Sequence, residues 1–153
     1  MWRIIAFLSA VLVMIVLGSL AHSVVVQQSL LVTALQAGIA PELTLEQRLQ
    51  WCLHDLLGMQ PLYGILISIT LLIALPIASG VQRMVGQRTW VFAAAGATSI
   101  FAMFSILKGV LGTVGVFGAR GLVGMSTQMF AGVLAALLFS AMTAPRSIPQ
   151  RKY

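Results

Sequence analysis

Charge is what this sequence has least of. Of its 153 residues only 8% are Asp, Glu, Lys or Arg, and only three are acidic, against roughly 25% charged residues in an average soluble domain. Hydrophobic residues make up 59%, and the mean hydropathy is +1.01. A soluble fold of this size cannot hide that much apolar surface, and a disordered chain needs the opposite balance. A single cysteine, Cys52, excludes an internal disulfide, a paired-cysteine redox motif and a thiolate zinc site. No basic run is interleaved with aromatics, so a nucleic-acid groove is not expected.

What the chain does have is long apolar runs. They cover about residues 4–26, 62–81, 89–107 and 122–143, each near the roughly 20 residues that cross a 30 Å hydrocarbon core as a helix. The runs are continuous rather than alternating, so they predict helices and not a barrel. The expected fold is one all-α membrane domain, residues 1–153: a four-helix transmembrane bundle with an extra amphipathic helix between spans one and two and a tail at 144–153. Met1-Trp2-Arg3 followed by Ser19-Leu20-Ala21 has some features of a secretory signal. The run continues through Val26, however, and reads as a true first helix or an uncleaved signal anchor.

The few charges are unevenly placed. With the N-terminus inside, Arg3, Arg83, Arg88, Arg146, Arg151 and Lys152 fall on the inner side. Arg48, Lys108, Arg120 and all three acids, Glu42, Glu46 and Asp55, fall on the outer side. Positive residues mark cytoplasmic loops, so both termini are expected in the cytoplasm, in a bacterial inner (plasma) membrane.

Between spans one and two, Thr44 and Gln47 have capping-box spacing, and Glu46 lies in the first turn of the helix it opens. The helix is expected over 45–58, with Gly58 as its stop and Pro61 preventing continuation. Leu45, Leu49, Cys52, Leu53, Leu56 and Leu57 form its apolar face, and Trp51 is placed at headgroup level. His22, Cys52, His54 and Asp55 make an outer polar cluster, with Met59 nearby. These residue types bind soft metals or haem iron, but two residues two apart on a helix point in different directions. No metal or cofactor is expected.

Glycine recurs at every third position from Gly109 to Gly124. That spacing drifts by about 60° per step on a helix, and each glycine costs about 1 kcal/mol relative to alanine, so an outer connector from Lys108 to Gly121 is expected. Its backbone amides at Gly112, Gly115 and Gly118, with Lys108 and Arg120, form a candidate lipid or quinone headgroup site. In span four, Gly124, Gln128, Gly132, Ala136 and Ser140 recur every four residues, a small-residue stripe for helix packing or partner contact in which Gln128 can bond across the interface. Span three contributes Ala93, Ala97 and Gly96 to the expected close packing with span four. Pro76 is expected to kink span two near Ser79 and Gly80. Met125 and Met129 share a face and read as filler.

No span interior carries an acid or a basic residue beyond His22, whereas coupled transporters need an intramembrane ionisable group. The chain resembles small multidrug exporters in span count alone, because the acidic residue that family needs is missing. Four-helix thiol-oxidising enzymes need more than one cysteine, and four-helix glutathione-using enzymes need arginine-rich motifs on their helices. No HExxH or GxSxG motif is present, and enzyme activity is not expected. The sequence points to a protein acting by binding: an accessory or assembly subunit of a larger membrane complex, or a homo-oligomer. The alternatives are a lipid- or quinone-binding protein using the connector, and an immunity-type protein that blocks a pore-forming toxin. The expected partners are membrane lipids and other membrane subunits. An alkaline phosphatase fusion at residue 85 is predicted to be inactive and one at residue 40 active; the reverse pattern overturns the orientation.

Overall fold

The computed structural model describes residues 1–39, 44–112, 119 and 121–144, apart from the side chains of Met59, Gln60 and Leu111. It is an all-helical bundle of α1 (Trp2–Gln36), α2 (Leu45–Val85), α3 (Arg88–Leu111) and α4 (Gly121–Met142). All four are long and apolar enough to cross a membrane. Each helix packs on two others, in the cyclic order α1, α2, α3, α4 and back to α1, so α1 lies diagonal to α3 and α2 to α4.

The interior mixes small residues with large ones such as Phe92, Phe104, Ile67 and Leu71, and the outer surface is rich in leucine, isoleucine and valine. Ala6, Ala10, Ala131, Ala135 and Ala136 are buried, while Leu8, Leu12, Ile65, Ile69, Leu72, Ile73, Leu122 and Phe130 face outward. In lipid, burial of apolar side chains supplies little drive, and helices associate where small residues let backbones approach. The α3–α4 contact is the clearest case. A Cβ on Gly96 would run into the carbonyl of Gly132, and one on Gly132 would come within 2.6 Å of Ile100 Cγ1 and 2.7 Å of the Gly96 carbonyl. The stripe of α4 faces inward along its length: Gly124, Gln128, Gly132, Ala136 and Ser140 are all buried. Ala93 and Ala97 are half-buried, and Gly96 makes the close approach.

The helices exceed the expected spans. α1 and α2 have 35 and 41 residues, about 50 and 60 Å at 1.5 Å per residue, against a hydrocarbon core of roughly 30 Å. The capping box at Thr44 is present, with Gln47 N–H donating to Thr44 Oγ1 at 3.3 Å and Thr44 N–H to Gln47 Oε1 at 3.0 Å. The expected stop at Gly58 is not: α2 runs unbroken through Gly58, Pro61 and Pro76 to Val85. Each proline removes a bond to the carbonyl four residues earlier, a cost of about 3 kcal/mol in a helix interior. Contacts from α1 to the segment before Pro61 oppose that cost. α2 ends instead at Gly86, left-handed at φ 75°, and Arg88 opens α3 two residues later.

The end of α4 is fully capped. Its last four carbonyls would lack partners within the helix, yet Phe139 accepts from Thr143 N–H at 3.0 Å and Ala141 from Ala144 N–H at 3.4 Å. Arg88 Nη2 donates to the Ser140 carbonyl at 2.7 Å, and Trp2 Nε1 donates to that of Met142. Arg88 also donates to Ser140 Oγ at 2.9 Å and Thr143 Oγ1 at 2.6 Å, and its guanidinium lies 5.1 Å from the Phe92 ring centre. These contacts bring the starts of α1 and α3 to the end of α4. Gly132→Leu, which drives a side chain into the Gly96 backbone, is expected to destabilise the bundle by at least 1–3 kcal/mol. Gly80→Ala, where a Cβ meets nothing within 4 Å, leaves the melting temperature within a degree or two or raises it; equal losses in both would overturn the contact.

Candidate functional site

Two polar groupings that involve α1 interrupt the apolar interior. The deeper one joins three helices. Gln128 Nε2 on α4 donates to the Gly18 carbonyl on α1 at 2.8 Å, and the Tyr63 hydroxyl on α2 donates to Gln128 Oε1 at 2.6 Å. All three residues are buried. Gly18 has to be glycine, because a Cβ there would collide with the Tyr63 hydroxyl and lie 2.9 Å from Gln128 Oε1. The amide was expected to bond across a helix contact. Tyr63 and Gly18 were missed, although a phenol within an otherwise apolar span is itself a signal, since its hydroxyl needs a partner when buried.

The second grouping begins one turn further along α1. His22, Ser23 and Gln27 are buried on one strip and face α2. Ser23 Oγ donates to Asp55 Oδ2 at 2.6 Å, and Gln27 Nε2 donates to the Arg48 carbonyl at 3.2 Å and to Cys52 Sγ at 3.7 Å. His22 adjoins Ser23, the residue that bonds to Asp55, on the same strip. Of the outer cluster read from the sequence, His22, Cys52 and Asp55 are therefore brought together. His54 is not, because it is exposed on another side of α2.

These bonds pair the first part of α2 antiparallel to the extension of α1, as a helical hairpin beyond the spans. The face of α2 turned to α1 carries Arg48, Cys52, Asp55 and Leu56, whereas Leu45, Leu49, Leu53 and Leu57 are 56–73% exposed. Of the expected apolar face, Cys52 and Leu56 turn to α1, and Leu45, Leu49, Leu53 and Leu57 do not. The strip of α1 offers polar groups, which meet Arg48, Cys52 and Asp55, and most of the leucines are left out together with Glu46, Gln50 and His54. The helix is also continuous with span two rather than a separate segment stopped at Gly58.

The chemistry of the junction is that of a structural lock. Ser23 and Gln27 on one helix donate to Asp55, the Arg48 carbonyl and Cys52 on the other, which fixes the two helices against each other. Among the described residues no group of three or more His, Cys, Asp or Glu side chains converges to hold a metal. At the connector, α3 runs on to Leu111, Gly112 caps it at φ 70°, and Lys108 is exposed. Gly115, Gly118 and Arg120 lie outside the described residues.

No protein-family model matches the chain, and no curated protein or solved structure does either.

Tyr63→Phe is expected to cost about 0.5–2 kcal/mol in detergent unfolding, and Gln128→Leu more, because it strips partners from both Tyr63 and Gly18. The double variant should show coupling, being less destabilised than the sum of the two. Ser19→Ala, removing a buried hydroxyl without a hydrogen-bond partner among the described residues, leaves stability unchanged or raises it. Strict additivity of Tyr63→Phe and Gln128→Leu would overturn the network.

Proposed function

We propose that the protein acts by binding rather than catalysis, as an accessory or assembly subunit of a larger membrane complex, with the helical hairpin as its docking element. The observation that carries this reading is the exposed line of Leu45, Leu49, Leu53 and Leu57. It lies on a segment that also exposes Glu46, Gln50 and His54. Lipid-facing surface is apolar all round, so a mixed surface of this kind sits at the membrane boundary, where contiguous apolar area marks an interaction site. Leu30, Leu35 and Ile39 on and after α1 extend the apolar area of the hairpin.

The partner this surface fits is another membrane-anchored subunit, whose own boundary-level helix can cover the leucines. The interior of the bundle is given over to packing and hydrogen bonds, and the small-residue stripe of α4 is consumed within the chain. The bias of basic residues supports both termini in the cytoplasm of a bacterial plasma membrane, and the hairpin then faces outward.

A Leu49→Asn/Leu53→Asn variant tests this reading in native membranes. Both side chains are exposed, so the purified variant is expected to keep its melting temperature within a few degrees. It should lose the protein subunits that co-purify with the unaltered chain in mild detergent. An unchanged set of partners, or a native mass spectrum of the unaltered chain showing no other subunit, would overturn it.

A further inference from the structure

At the opposite end from the hairpin, where Trp2 and Arg88 cap α4, the four helices leave a cleft of about 500 Å³. Its lining is divided by chemistry. Ile4, Phe7, Leu72, Leu75, Pro76 and Phe139 make an apolar floor, and Arg3, Arg83 and Arg88, with Ser79, Gln82 and Thr143, make a polar rim. Ile4, Leu72 and Pro76 are exposed as well as lining the cleft. The floor therefore opens sideways onto the outer surface of α1 and α2, where acyl chains lie.

The rim has one sign of charge. Its arginines come from α1, α2 and α3, and among the described residues no acid lines the cleft; the three acidic side chains of the sequence are Glu42, Glu46 and Asp55, of which Glu46 and Asp55 lie on the hairpin segment of α2. Arg88 is held in place by its bonds through Nε and Nη2 to Ser140 and Thr143, and its Nη1 edge has no hydrogen bond among the described residues. Arg3 and Arg83 are exposed and make no hydrogen bond or ion pair among the described residues. Arginines that line one cleft without an acid repel one another, and an anion that accepts from them relieves that repulsion. Guanidinium donors match phosphate oxygens in geometry as well as in charge.

We propose that this cleft is a binding site for one anionic phospholipid per chain. The headgroup phosphate accepts from Arg3, Arg83 and the free edge of Arg88, and an acyl chain runs out along Leu72 and Pro76. The apolar floor selects a lipid over a soluble phosphate, and the arginines select an anionic over a zwitterionic headgroup. The site is at the other end of the bundle from the glycine connector, and it does not depend on the docking role of the hairpin.

The test is native mass spectrometry of the full chain, delipidated in mild detergent and titrated with phosphatidylglycerol, phosphatidylcholine, or inorganic phosphate. The expected result is a single retained phosphatidylglycerol, weaker phosphatidylcholine binding, and no displacement by millimolar phosphate. An Arg3→Gln/Arg83→Gln variant should lose about tenfold or more of the preference for the anionic lipid, the scale of a lost charge-assisted contact. Arg3→Lys/Arg83→Lys, which keeps both charges, should retain most of it. Equal binding of the two lipids, displacement by inorganic phosphate, many weakly held lipids in place of one, or full preference kept in the glutamine variant would each overturn the proposal.

Discussion

A carboxamide buried among apolar helices has to find its partners inside the protein, because lipid offers none. Gln128 finds them on two other helices, the carbonyl of Gly18 and the hydroxyl of Tyr63. Much of the architecture is referred to this point. It fixes the axial position of α4 against α1 and spans the diagonal to α2. It also explains why α1 carries a glycine where a side chain would otherwise improve packing. With Gly18 set opposite Tyr63, the antiparallel course of α1 and α2 brings Ser23 to Asp55 and Gln27 to Arg48 and Cys52. The hairpin thus takes its register from a bond within the bundle.

The same constraint governs the bundle's opposite end. There the groups needing partners are the final carbonyls of α4, and they are met by Arg88, Trp2 and the residues that follow the helix. Arg88 does this while stacking near Phe92, which itself lies 5.9 Å from Phe139, ring centre to ring centre. One arginine therefore caps a helix, covers an aromatic pair and lines the cleft. A lysine, with a single ammonium and no planar fork, could not make the same set of contacts.

The span count, the Thr44 capping box and the small-residue face of α4 were all legible, because each is written in local spacing. Helix lengths were not. Hydropathy falls at Gln27 and Gln28, but nothing in those residues ends a helix, and α1 continues to Gln36. Gly58 and Pro61 read locally as a stop, and the local reading failed because pairing with α1 outweighs one lost backbone bond. The outer cluster was legible in composition but not in arrangement: Ser23 and Gln27 carry its bonds, and neither stands out in a sequence until the neighbouring helix is known. Arg88 was visible as a marker of topology, and its capping role depends on a helix end more than 50 residues away.

Where the chain can act on another molecule follows from how its surface is spent. Around the spans the outward residues are mostly apolar, and the exposed hydroxyls of Thr98, Ser105 and Ser126 bond to carbonyls of their own helices. Inside, alanines and close glycine contacts sit beside large side chains such as Phe92, Phe104, Ile67 and Leu71, and Gln128 and Tyr63 satisfy each other by hydrogen bonding. The two ends differ from both. One carries leucines interleaved with Glu46, Gln50 and His54 on a helix that lipid alone cannot cover evenly; the other carries arginines around an apolar floor. A chain with so few charges has placed the exposed ones at the boundaries of its apolar surface, and those boundaries are where selective binding is physically possible.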